Sequence, residues 1–112
     1  MPIPMLPLSP DSPAYCLFIE EVDKHLAFAH ESLTGGPGGI TPDIARRLGA
    51  SFHTIRGSAG FFGLSEVADL AKRIEEHFFA VAGGEQLDLT RMQPLVESVT
   101  NLTADLPRPP LK

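Results

Sequence analysis

The sequence predicts an all-α fold, an antiparallel four-helix bundle running up-down-up-down. Three observations carry this. Apolar residues recur at spacings of three and four through four separate segments, the period of a helix with one buried face. Links rich in glycine, or a closing proline, separate those segments. No stretch reads as a strand. At 112 residues, with 43% hydrophobic and 21% charged, the chain suits one soluble domain with a single core.

The first helix can start with Ser12 as N-cap and Pro13 at the first helical position. Its stripe is Tyr15, Phe18, Ile19, Val22, Leu26, Ala29 and Leu33, and the break "TGGPGG" ends it. The second opens at Thr41-Pro42-Asp43, a cap followed by proline and an early acid. Its stripe is Ala45, Leu48, Phe52, Ile55, Ala59 and Phe62. Gly63 and Ser65 punctuate. The third carries Val67, Leu70, Ala71, Ile74, Phe78 and Val81, and Gly83-Gly84 close it. The fourth shows Met92, Leu95, Val96, Val99, Leu102 and Leu106. Pro94 favours a start near Thr90, which places the proline in the first turn, where its missing N–H matters little. Pro107 stops the helix. Prolines at 2, 4, 7, 10 and 13, and again in "LPRPPLK", mark 1–13 as a flexible N-terminal flank and 107–112 as a tail or linker. The bundle is expected over 14–106.

Composition excludes several functions. A net charge of -5 argues against nucleic acid as a partner, which calls for clustered positive charge. No apolar run is long enough to cross a bilayer, and "MPIPMLPLSP" lacks the basic start and unbroken apolar core of a signal peptide. The single cysteine, Cys16, rules out an internal disulfide and fits a reducing cytosol, so a cytoplasmic location is expected. His25, His30 and His77 have no ligand partner at i+4, and no glutamate of the first or third helix is followed by histidine at i+3. Neither a metal nor any other cofactor is therefore expected.

The informative face is the side of the second helix away from its stripe. It collects Arg46, Gly49, Ala50, His53, Arg56, Gly57 and Gly60, mostly at i±3, i±4 or i±7 from His53. An interior glycine costs a helix roughly 0.5–1 kcal/mol relative to alanine, so these do not serve helix formation. They clear space for a macromolecule to reach the imidazole, and the two cations would suit a group that becomes anionic. Alternatively, the glycines serve close helix–helix packing.

The stretch "FHTIRGSAGFFGLSEVADLAKRIEE" resembles the histidine phosphotransfer (HPt) domain, in particular the version at the N-terminus of chemotaxis-type sensor kinases. The pattern is H-x-x-[K/R]-G-x-x-x-x-x-G followed by an apolar helix ending in LxxxxE. The resemblance implies that His53 is the phosphorylated histidine and that Arg56 is a cation beside the phosphoryl group. Gly57 and Gly63 match the motif glycines. Glu75 matches a carboxylate on the neighbouring helix that holds the imidazole, and the helical wheel supports Glu75 over Glu76 because it continues the Ala68, Lys72, Phe79 row beside the core stripe. Lys72 stands where chemotaxis kinases often carry histidine. With Arg46, Gly49, Ala50, Gly57 and Gly60, Lys72 makes up the expected docking surface.

The partners implied are a histidine kinase catalytic domain and a response-regulator receiver domain. No Gly-rich nucleotide box is present, so a phosphocarrier is expected rather than an enzyme. It should act as a monomer without membrane insertion. The alternative is a bundle that docks a signalling partner through the same face without phosphate.

Overall fold

The computed structural model describes residues 12–108. Four helices follow one another: α1 (Pro13–Thr34), α2 (Pro42–Phe61), α3 (Ser65–Ala82) and α4 (Leu89–Ala104), with one 3-10 turn at Pro37–Gly39 between the first two. The described residues contain no strand. The expected prolines at 2, 4, 7 and 10 lie outside the described residues, and Pro13 opens α1.

Local chemistry starts three of the helices. The Ser12 hydroxyl accepts from the Tyr15 N–H at 3.3 Å, and Thr41 accepts from the Ile44 N–H at 3.1 Å. Asp88 accepts from the Arg91 N–H at 3.1 Å. Each side chain satisfies one of the donors a helix start leaves without a partner. Proline is tolerated in the first turn of α1 and α2 for the same reason.

Pro94 does not sit in a first turn. Helix α4 begins at Leu89, so the proline is its sixth residue and lies in the interior. It is exposed, which leaves the Thr90 carbonyl that it cannot serve on the wet side of the helix.

The turn between α2 and α3 depends on Gly63, whose φ of 74° is left-handed. Its N–H donates to the Gly60 carbonyl, and the Leu64 N–H donates to that of Ala59. That pair of bonds closes the end of α2 and reverses the chain within three residues. Gly84, at φ 114°, closes α3 in the same way, through its own N–H to Val81 and that of Glu85 to Ala80.

The helices pack in a ring, each on its chain neighbours, with α4 closing on α1. The pairings run in opposite directions. Gly49 lies against Phe79 and His53 against Glu75; Phe18 meets Phe62 while Arg47 meets Phe28. Tyr15 reaches Pro107 while His30 meets Thr100. The topology is therefore up-down-up-down.

Every stripe residue of the first two helices is buried. At one end Tyr15, Phe18 and Phe62 cluster, with Phe62 5.8 Å from Tyr15 and 5.0 Å from Phe18 between ring centres. Phe52 and Phe78 stack at 6.4 Å. In α4 the pattern is looser: Leu95 and Leu102 are half-buried, as is Leu106, which lies past the helix end at Ala104 rather than in the helix as expected, whereas Thr103 is fully buried. Its hydroxyl donates to the Val99 carbonyl at 2.9 Å, which hides the polar group inside its own helix.

The segment expected to be a tail is held at its start. The Tyr15 hydroxyl donates to the Pro107 carbonyl. Arg108 forms a two-pronged bond to Asp23 at 2.7 and 3.1 Å and also donates to the Thr103 carbonyl at 3.2 Å. Burial raises the Tyr15 phenol above its ordinary pKa, opposed by the nearby Arg108 charge. The hydrogen bond to Asp23 raises Arg108 in turn. Among the described residues no helix is long and apolar enough to cross a membrane.

Candidate functional site

The 3.6-residue period that buries Phe52 and Ile55 turns His53 outward, and the hairpin register brings Glu75 of α3 up beside it. The His53 side chain is 61% exposed and that of Glu75 only 11%. Nδ1 lies 3.3 Å from Oε1 and 3.2 Å from Oε2 of the carboxylate. A carboxylate only accepts, so a neutral imidazole in this contact carries its proton on Nδ1. Nε2 then presents its lone pair, and it has no partner among the described residues.

Arg56, one turn along α2, places Nε 3.4 Å from Glu75 Oε1. The carboxylate thus holds two groups of α2 at once. Glu76, its neighbour, is exposed and makes no such contact.

The glycines of this face divide. A Cβ added at Gly57 or Gly60 would meet nothing within 4 Å, so both leave open surface. Gly49 does not. It is buried, and a Cβ there would stand 2.8 Å from ring carbons of Phe79. The bare docking surface expected at Gly49 is corrected accordingly: the absent side chain lets α3 lay an aromatic ring on α2. Ala50 and Lys72 are exposed, and Arg46 is exposed with an ion pair to Asp43 at 3.6 Å.

Sequence reasoning missed the apolar surface beside this face. A groove of about 370 Å³ lies between the start of α1 and the end of α2, its rim formed by Leu17 and Phe61 and its wall by Gly57. Leu17 is 58% exposed and Phe61 63%, unusual for large apolar side chains standing close together. A signal existed. Phe61 and Phe62 are adjacent on a helix, so they point about 100° apart and cannot both face the core.

No group of three metal-ligating side chains comes together among the described residues. His25, His30 and His77 are occupied separately. His25 lies 3.9 Å from Glu21, His30 bonds Thr100 at 2.9 Å, and His77 Nε2 accepts from the Asp88 N–H at 2.9 Å.

The Hpt domain family matches this chain over residues 14–106. No curated protein and no solved structure matches it.

Proposed function

Because the chain belongs to the Hpt domain family, we propose that His53 is where it carries a phosphoryl group. Hpt domains are phosphocarriers of phosphorelays and exchange phosphate with kinases and receiver domains. The finer assignments rest on the geometry around His53. The observation that carries them is the Glu75 carboxylate on Nδ1, with Nε2 left exposed and unpartnered.

A donor with a P–O bond, ATP on a histidine kinase or the acyl phosphate of a receiver aspartate, presents phosphorus to Nε2 of the neutral ring. The P–N bond forms as the P–O bond to the donor breaks, and the donor leaves with that electron pair. The ring, still protonated at Nδ1, becomes an imidazolium whose charge Glu75 faces, the orienting logic of a histidine–carboxylate pair. The guanidinium of Arg56, anchored through Nε on the same carboxylate, supplies a cation for the phosphoryl oxygens. A receiver aspartate then attacks phosphorus, the P–N bond breaks, and the electron pair returns to Nε2.

Docking falls on the surface of Ala50, Gly57, Gly60, Arg46 and Lys72, extended by the Leu17–Phe61 groove. Open surface at the two glycines gives a partner domain a low approach to the imidazole. The domain so assigned runs from 14 to 106. The reading further makes it a cytosolic monomer of the chemotaxis-kinase kind, the compartment resting on cysteine usage and the kind on the His53–Glu75 motif spacing.

The test is transfer of labelled phosphate from a histidine kinase and ATP to the whole chain. An acid-labile, base-stable label is expected on the wild type and none on His53→Gln, with helicity and melting unchanged because the site is exposed. Labelling that persists in His53→Gln would move the acceptor elsewhere.

A further inference from the structure

Beyond the apolar groove, the seam between α1 and α2 opens into a second cleft of about 470 Å³. Lys24, His25 and Phe28 line it from α1, and Arg47, Ala50 and Ser51 from α2. We propose that this cleft binds a phosphate oxyanion, either free phosphate or the phosphate chain of a nucleotide.

The first argument is charge. In a chain of net charge -5, this cleft gathers two permanent cations. Among the described residues no carboxylate lines it: Glu21 lies 3.9 Å from His25, while Asp23 is taken by Arg108 and Asp43 by Arg46. The second is geometry. The Arg47 guanidinium lies over the Phe28 ring, 5.0 Å from its centre, and both residues line the cleft. A stacked guanidinium still offers donors along its edge, the fork that suits a phosphate.

The third observation is Ser51. It is 7% exposed, lines the cleft, and its hydroxyl has no hydrogen-bond partner among the described residues. No completely buried side-chain oxygen or nitrogen in the described protein lacks a partner, so this hydroxyl keeps its small exposure toward the cleft. A nearly buried polar group without a partner is uncommon and calls for something to satisfy it. Guanidinium, ammonium and hydroxyl line one cleft and are all donors, and a phosphate has oxygens for all three.

The cleft is separate from the phosphoacceptor assignment. Ala50 links them, standing in the cleft wall one turn before His53, so a bound anion would sit beside the docking face without using the imidazole.

The experiment is amide NMR of the whole chain titrated with sodium phosphate, and in a second arm with ADP, each against sodium chloride at equal ionic strength. Saturable shifts at Lys24, Arg47, Ala50 and Ser51 are expected, kept in His53→Gln. Affinity should fall about tenfold in Arg47→Gln and severalfold in Ser51→Ala, with Lys24→Gln as a further exposed variant. Equal affinity in the two arms identifies a simple phosphate site, and tighter ADP binding identifies a phosphate chain; either supports the proposal. Shifts that rise without saturating, that chloride reproduces, or that Arg47→Gln and Lys24→Gln leave unchanged would overturn it. No saturable binding by the wild type with its phosphotransfer intact rejects this cleft alone, whereas no labelling of the wild type at His53 with binding intact rejects only the phosphoacceptor.

Discussion

Glu75 holds two partners on one carboxylate, so its removal should separate rate from fold. Both His53 and Arg56 reach solvent and can be rehydrated once the nearly buried carboxylate is gone, so no charge is left buried without a partner. Glu75→Ala is therefore expected to melt close to wild type yet accept phosphate roughly 10²-fold more slowly, the low end of what a positioned proton-holding group contributes. Glu76→Ala should change neither quantity. Comparing phosphorylation rates of the two variants checks the assignment, and the opposite ranking would overturn it. The glycines give a second contrast on the same helix. Gly60→Ala should raise stability by up to about 1 kcal/mol, since helix propensity is gained and nothing is displaced. Gly49→Ala gains the same propensity but must push the Phe79 ring aside, and a net loss of about 1 kcal/mol is expected. Thermal melting of the pair decides it.

At the scale of elements, α4 is the helix that works against its own sequence. Pro94 removes the N–H that would bond the Thr90 carbonyl, and its ring crowds that turn. Asp88 compensates at the start of the helix by capping Arg91, and Met92, Val96 and Val99 compensate by burial. Pro94→Ala should then stabilise the protein by about 2 kcal/mol, within the penalty that proline imposes inside a helix. Chemical denaturation measures this, and an unchanged midpoint would mean that the neighbouring turn has already absorbed the strain. The α2–α3 hairpin has the opposite character. Cap, stripe and left-handed glycine agree, and the pair of helices that positions His53 and Glu75 is also the most extensively packed. Such agreement among local signals is what lets an exposed site be held in place.

For the whole molecule, the closing contacts join α1 to the residues after α4. Tyr15 is fully buried and donates its phenol proton to the Pro107 carbonyl, while Arg108 clasps Asp23. Because burial raises the Tyr15 pKa in the folded state, its contribution is complete below the unfolded phenol value, about pH 10, and is lost as pH rises through the higher folded value. Stability should therefore fall above about pH 10 as the ionised phenolate loses its donor. Tyr15→Phe should show a weaker alkaline loss and a lower stability at neutral pH, by about 1 kcal/mol for the hydrogen bond. Melting curves at pH 7 and above 10 for both proteins test it; identical alkaline losses would assign the effect to other groups.

Periodicity was enough for the helices, because the spacing that buries Phe18, Phe52 and Phe78 is written into the order of residues and needs no partner to be read. The same period turned His53 outward, and the wheel placed Glu75 toward the second helix. Caps at Ser12 and Thr41 were equally local. What no local rule contains is the distance between two helices. Gly49 and Gly57 look alike in sequence, and only the approach of Phe79 makes one a packing position and the other open surface. The Arg56–Glu75 pair, the clasp of Arg108 on Asp23, and the gathering of Lys24 with Arg47 likewise join residues far apart in the chain. The order of residues determined which faces were apolar and that His53 stood on the outward one. Packing decided which side chains meet across the seams, since that depends on helix separation and register, and these are set by the whole core at once.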